Sequence, residues 1–145
     1  MAIYARDLER RPGEDPFIVV RGGFYRRWLT MLGDLEELIL IVNQLEGTTE
    51  DKWVPVWREA GQRHEAEGDR LDKLSDVNAA KAEYLLAKTY FSIGRFPGEI
   101  SPMKAEISKD CARVYRKACA KLDPPMEVLE IVCEGKSFRA HFRAP

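Results

Sequence analysis

The sequence has little of what most active sites are built from. Only two histidines, His64 and His141, occur in 145 residues, and two imidazoles cannot by themselves make a histidine-rich metal site. None of Ser75, Ser92, Ser101, Ser108 or Ser137 sits in a G-x-S-x-G turn, where small neighbours relieve the strain of a nucleophile elbow. The nearest approach, Tyr90-Phe91-Ser92-Ile93-Gly94, lacks the first glycine and falls at the end of a predicted helix. Gly22-Gly23 is not followed by G-x-x-x-x-G-K-[ST], so no phosphate loop is present. Cysteine is scarce too. Cys111, Cys119 and Cys133 have no CxxC spacing, and the first two lie about two helical turns apart, too far for a disulfide. They read as buried or half-buried free thiols in a reducing compartment. Catalysis by Cys111 or Cys119 would need an activating positive neighbour, and although Lys109, Arg113, Arg116 and Lys117 are close in sequence, core packing is the better reading.

Charge of one sign is equally absent. Lys and Arg number 23 against 24 Asp and Glu, a net charge of -1, which argues against a nucleic-acid binder with its basic excess. Arg10-Arg11 and Arg26-Arg27 read as solvated faces. The apolar run Leu38-Ile39-Leu40-Ile41-Val42 is far short of the roughly 20 residues a membrane span needs. The first residues, Met1-Ala2-Ile3-Tyr4-Ala5-Arg6-Asp7, are not a secretory signal. These absences point to a cytoplasmic protein with no membrane partner, no nucleic acid and no cofactor or metal. With 45% hydrophobic and 32% charged residues, the chain has the profile of a folded domain rather than a disordered one.

What is present is mostly helical pattern. Residues 1–23 read as an irregular N-terminal arm, punctuated by Pro12, Gly13 and Pro16, with Phe17-Ile18-Val19-Val20 as a short extended or docking run. Phe24, Trp28, Leu32, Leu35, Leu38, Ile39 and Val42 recur at helical spacing, predicting one amphipathic helix, weakened at Gly33 and stopped at Gly47. Thr48 or Thr49 caps a second helix with Glu50 and Asp51 in its first turn. Its stripe is Trp53, Val56, Trp57, Ala60 and His64; Pro55 is placed in its first turn and Gly68 at its end. Ser75-Asp76 opens a third helix with the stripe Val77, Ala80, Tyr84, Ala87 and Phe91, closed by Gly94. Ser101-Pro102 starts a fourth, with Met103, Ile107, Cys111, Val114, Ala118 and Leu122, stopped by Pro124-Pro125.

The period then changes to two. Val128, Leu129, Ile131 and Val132 form a short run, Glu134-Gly135 supplies a turn, and Phe138, Ala140 and Phe142 alternate with Arg139, His141 and Arg143. This is a β-hairpin, and His141 reads as solvated beside the arginines. The expected fold is mainly α: a bundle of about four helices over 24–125, then a hairpin over 126–145. An isolated hairpin is marginal in water and its edges invite association. Continuation of the polypeptide, or a second chain, is therefore expected to complete the sheet.

Few constellations suggest chemistry. His64 and Glu67 share a helix face and form the one plausible ligand pair, with no second pair to complete a shell, so a structural histidine is the stronger reading. The aromatics Trp28, Trp53, Trp57, Tyr84, Tyr90 and Phe91 are mostly core, and a few could line a pocket between helices and a neighbouring domain.

Two stretches carry a resemblance. The first is Trp53-x3-Trp57-x2-Ala60, then Ala79-x2-Ala82-x-Tyr84-Leu85-x-Ala87-x2-Tyr90-Phe91. The second runs from Tyr115-x2-Ala118 through Asp123-Pro124-Pro125-Met126-Glu127-Val128-x-Glu130-Ile131 to Glu134-Gly135-Lys136-Ser137-Phe138-Arg139-Ala140 and Pro145. The chain resembles, over about Phe24 to Pro145, the N-terminal region of α/β-hydrolases with a helical cap. These include the 2,6-dihydroxypseudooxynicotine hydrolase type and the fungal pigment-polyketide chain-shortening hydrolases. The resemblance implies a cap or lid that shapes the substrate pocket and excludes water from it. It also implies a hairpin equivalent to the first two strands of the hydrolase sheet, a partner α/β-hydrolase catalytic domain, a ketone, ester or polyketide-like small-molecule substrate, and room for homodimer contacts. The serine, acid and histidine of that family match no position here, so no catalytic residue is assigned. Trp28, Trp57, Tyr84 and Phe91 are the candidates for the substrate pocket or the domain interface. Two other readings stay open: a stand-alone helical interaction module, though no unit recurs about 34 residues apart, and a self-contained enzyme with an unfamiliar site around His64, Glu67 and the tryptophans.

Overall fold

The apolar stripe expected as one helix is split at Gly33. This glycine takes φ +77°, a left-handed conformation that costs a side chain heavily, and its N–H closes the preceding turn on the Leu29 carbonyl at 2.8 Å. Asp34 then caps a new helix, accepting from the Glu37 N–H at 2.9 Å. Stop and start signals sit side by side, so periodicity alone runs across the break. The computed structural model describes residues 27–47, 49–96 and 101–143. The arm at 1–23, its Phe17–Val20 run and the expected start at Phe24 lie outside the described residues.

Among the described residues five helices precede the hairpin: α1 (27–32), α2 (Leu35–Gln44), α3 (Glu50–Lys73), α4 (Val77–Gly94) and α5 (Pro102–Cys119). β1 (Glu127–Cys133) and β2 (Lys136–Phe142) pair antiparallel, with Glu127 opposite Phe142 and Cys133 opposite Lys136. Glu134 (φ 50°) and Gly135 (φ 74°) both lie at positive φ, the pairing that a two-residue turn needs to match strand twist. The hairpin is where its period-two pattern puts it. No described helix is long and apolar enough to cross a membrane.

Gly68 does not end α3. The helix runs on to Lys73, and the stop comes at Ser75. Ser75 adopts φ 62°, its N–H reaches the Asp72 carbonyl at 2.9 Å and the Asp76 N–H reaches Leu71 at 3.1 Å, the paired bonds of a Schellman cap. Asp76 serves at once as the N-cap of α4, accepting from the Ala79 N–H at 3.2 Å. Pro55 likewise lies beyond the first turn of α3, inside the helix, on its exposed side.

Gly68 is needed for room. A methyl group there would come within 2.7 Å of the Tyr84 ring, and one at Gly61 within 2.5 Å of the Phe91 ring. The two glycines are one heptad apart on α3, and Tyr84 and Phe91 are one heptad apart on α4. The aromatic rings therefore fill glycine holes in antiparallel register, knobs into holes without the usual large partner. α4 also packs on α5, so it is buried on two sides. Gly94 closes the corner, with Ile107 and Trp57 against its Cα. Trp57, Tyr90, Phe91, Leu38, Ile107 and Val114 are wholly enclosed.

Candidate functional site

Three indoles gather where α1, α3 and the end of α4 meet. Trp28 stands edge-on to Trp57 with ring centres 5.0 Å apart, and Trp53 lies 5.7 Å from Trp28 and 5.6 Å from Trp57. Such tilted and edge contacts follow the ring quadrupoles. The Trp53 indole N–H donates to the Ile93 carbonyl at 3.1 Å. The indole N–H of Trp57 is buried without a hydrogen-bond partner among the described residues, an arrangement that costs about 1–3 kcal/mol. Trp28 forms one wall of a shallow apolar groove of about 160 Å³ lined also by Arg27, Met31, Ser92, Ile93 and Phe96.

The four candidates from the sequence do not converge on one place. Trp28 lines the groove and Trp57 supports it from beneath. Phe91 sits in the Gly61 hole and Tyr84 in the Gly68 hole, further along α3. The Tyr84 hydroxyl donates to Asp69 at 2.8 Å, and burial, together with that carboxylate, pushes its pKa well above the ordinary tyrosine value.

The best-organised polar cluster was not legible in the local pattern. His64 does not pair with Glu67, which is held by Arg70 one turn away at 2.6 and 2.8 Å. The His64 ring instead bridges two carboxylates from other helices. Its Nδ1 lies 2.6 Å from Glu83 Oε2 on α4, and its Nε2 lies 3.2 and 3.1 Å from the two carboxylate oxygens of Glu37 on α2. The ring stacks on Tyr90 at 5.0 Å between centres, and the Tyr90 hydroxyl donates to Glu37 at 2.7 Å. Burial and the neighbouring carboxylate push Tyr90 far above its usual pKa. Among the described residues no group of His, Cys, Asp and Glu is arranged to hold a metal ion.

A second cluster ties α3 to α5. Arg113 forms a bidentate pair with Glu65 at 2.9 and 2.6 Å, the geometry that suits guanidinium to carboxylate. It also meets Asp110 at 2.5 Å, and Asp110 takes Arg58 at 2.8 Å. Lys117 bridges Glu65 and Asp69 at 2.9 and 2.7 Å. Burial pushes Glu65 up, but the bonds from Arg113 and Lys117 outweigh it and hold the carboxyl below its ordinary pKa.

The hairpin reverses one expectation. His141 is exposed beside the arginines as expected, with its ring also edge-on to Tyr115 of α5 at 5.3 Å. The face carrying Leu129, Ile131, Phe138 and Phe142 is open, each of these side chains 40–53% exposed, and on the opposite face Val128 and Val132 are exposed too. Cys133, expected at least half-buried, is exposed there, whereas Cys111 and Cys119 are buried and all three thiols are free.

No family model matches the chain. Over 108 residues it is 28% identical to Hydrolase ORFZ of Pyricularia oryzae, a stretch covering 70% of this chain and 26% of that protein. The fold matches the crystal structure of the 2,6-dihydroxy-pseudo-oxynicotine hydrolase with a TM-score of 0.64 at 19% identity. That likeness covers 78% of this chain and 31% of the solved one. The chain is similar to these hydrolases in sequence and fold. It spans less than a third of the length of either, so the matched portion in each is a minor part of a longer polypeptide. The resemblance carried by the tryptophan, alanine and tyrosine spacing is borne out, as is the mainly helical fold with its C-terminal hairpin.

Proposed function

We propose that this chain is the cap portion of a serine α/β-hydrolase acting on a ketone, ester or polyketide-like small molecule. The helical bundle shapes the substrate pocket and excludes water, and the hairpin opens the sheet of a catalytic domain that supplies the nucleophile, acid and histidine. The observation that carries this reading is the open apolar face of Leu129, Ile131, Phe138 and Phe142, on a hairpin too small to be stable alone. Full burial of such a side chain is worth about 1.5–3 kcal/mol, and these half-exposed ones forgo about half of it. The two relatives, both named hydrolases and both more than three times as long as the matched region, supply the context. A water-excluding lid strengthens the electrostatic stabilisation of a tetrahedral intermediate. Contacts with a second cap in a homodimer belong to the same proposal.

The test is to determine the intact mass of the native protein and to treat it with a fluorophosphonate serine-hydrolase probe. The expected result is a species well above 16.6 kDa, or a complex with a second chain, that labels with the probe, while residues 1–145 alone do not label. A native protein of 16.6 kDa without a sheet-bearing partner overturns the reading and favours a stand-alone helical interaction module.

A further inference from the structure

His64 is held between two acceptors. A carboxylate has only lone pairs to offer, so each of its two N···O contacts needs a proton between the atoms. A neutral imidazole carries one proton, on one nitrogen. With Glu83 at 2.6 Å from Nδ1 and Glu37 at 3.1 Å from Nε2, two ring protons satisfy both contacts at once. Tyr90 adds no competing donor to the ring. Its hydroxyl is spent on Glu37 at 2.7 Å and its face is stacked on the imidazole. The other charge facing the cluster is Arg63 of α3, whose Nη2 is 3.4 Å from Glu37. Asp34, at the N-cap of α2, adds negative potential at Tyr90. The charged and titratable groups at the cluster are thus Glu37 of α2, Asp34 at its N-cap, Arg63 from α3, and Glu83 and Tyr90 from α4.

We propose that Glu37, His64 and Glu83 form a proton-dependent latch fastening α2 to the α3–α4 pair. While both ring protons are held, the imidazolium joins all three helices. When one is lost as pH rises, one contact becomes lone pair against lone pair at hydrogen-bond distance, and that side must move apart. The α3–α4 side is locked by Tyr84 and Phe91 in the holes at Gly68 and Gly61. α2 has no such lock. It is ten residues long, shorter than the roughly 12–15 at which an isolated helix becomes even marginal, and it buries Leu38, Ile41 and Val42 while Leu40 stays exposed. The Glu37 contact is therefore the one that yields. Because α2 joins α1 directly through Gly33, its loosening also moves the Trp28 wall of the groove.

Hydrogen exchange of the 145-residue chain, corrected for intrinsic rates, tests the latch between about pH 5.5 and about pH 8. Protection of the α2 amides is expected to fall about tenfold over that interval, in line with the loss of one charge-assisted hydrogen bond. Protection at Ala87–Phe91 of α4 should hold. In Glu83→Gln the new amide can itself donate to Nδ1, so the second ring proton is no longer required and the drop should vanish. A flat profile in the native chain, or an equal drop in Glu83→Gln, overturns the proposal. Should that variant fail to fold, the imidazole ¹⁵N spectrum of the native chain decides. Two ring protons at pH 5.5 with loss of one tracking the exchange of α2 supports the latch, and a single ring proton at that pH removes it.

Discussion

The helical bundle and the hairpin draw on similar apolar residues and treat them in opposite ways. In the bundle Trp57, Tyr90 and Phe91 are fully enclosed, and the buried charges Glu65 and Asp110 have cationic partners within 3 Å. On the hairpin, Val132 is 72% exposed and Phe138 53%, and only His141 makes a ring contact with a helix. The two regions differ in what surrounds them, not in hydrophobicity. A helix can bury its stripe against neighbouring helices, whereas a two-stranded sheet has two faces and two edges and this bundle meets only part of one face. Stability should accordingly be concentrated in the bundle, while the hairpin's apolar face is free for another role.

Removing Trp57 is the strongest way to break that contrast. Trp57→Ala is expected to lose about 3–5 kcal/mol of unfolding free energy, read as a shift of the urea midpoint. Trp57→Phe removes the unpartnered indole N–H together with part of the volume, so it should cost clearly less. If the alanine variant unfolds like the native chain, the indole cluster is not the centre of the core.

The next largest effect is expected at Glu65. Glu65→Gln keeps the size but leaves Arg113 and Lys117 facing a neutral amide, for a loss of about 2 kcal/mol, moderated by the partial exposure of both cations. The pH dependence follows from the lowered pKa of Glu65 and Asp69. Their contribution is present in full above the unfolded carboxylate values of about 3.9–4.3 and disappears as pH falls through the lower folded values. Thermal melts on the acid side should therefore fall more steeply for the native chain than for Glu65→Gln. Parallel slopes would show that the ladder from α3 to α5 is not what acid disrupts.

How much of this was legible in the sequence depends on how far apart the partners lie. Signals contained within four residues were readable: the Ser101 cap before Pro102, the Asp76 cap, the hairpin turn at Glu134-Gly135. Gly68 was misread as a helix end because a glycine that ends a helix and one that admits an aromatic ring look alike until the facing helix is known. The missing stop lay at Ser75, a residue that rarely takes the left-handed conformation. The His64 cluster joins residues 19 and 27 positions away, and helical periodicity offers no rule for which distant carboxylate meets which ring. Met31 and Phe96 meet Trp28 along the groove from the ends of α1 and α4, a juxtaposition that no local pattern announces.

Ser75 offers a smaller test, with the opposite sign. A non-glycine residue at φ 62° carries a steric cost of about 1 kcal/mol that glycine avoids. Ser75→Gly should raise the melting temperature modestly, by the equivalent of about 0.5–1 kcal/mol after the extra flexibility of the unfolded chain is deducted. A destabilised variant would mean that the Ser75 side chain supports the α3–α4 corner in a way its exposed position does not suggest.

The smallest effect is expected where the hydrophobic residues are largest and most exposed. Phe138→Ser lies on the open face, so in this chain alone it should change stability by less than about 0.5 kcal/mol, the usual range for surface sites, while reducing self-association of an exposed apolar patch. Together with Phe142→Ser it separates two uses of the same face. If the face only awaits a catalytic domain, the double variant stays folded and becomes more soluble, and the cost appears only when the longer protein assembles its sheet. If the double variant unfolds the bundle as Trp57→Ala does, the hairpin is part of the core, and the contrast between the two regions is wrong.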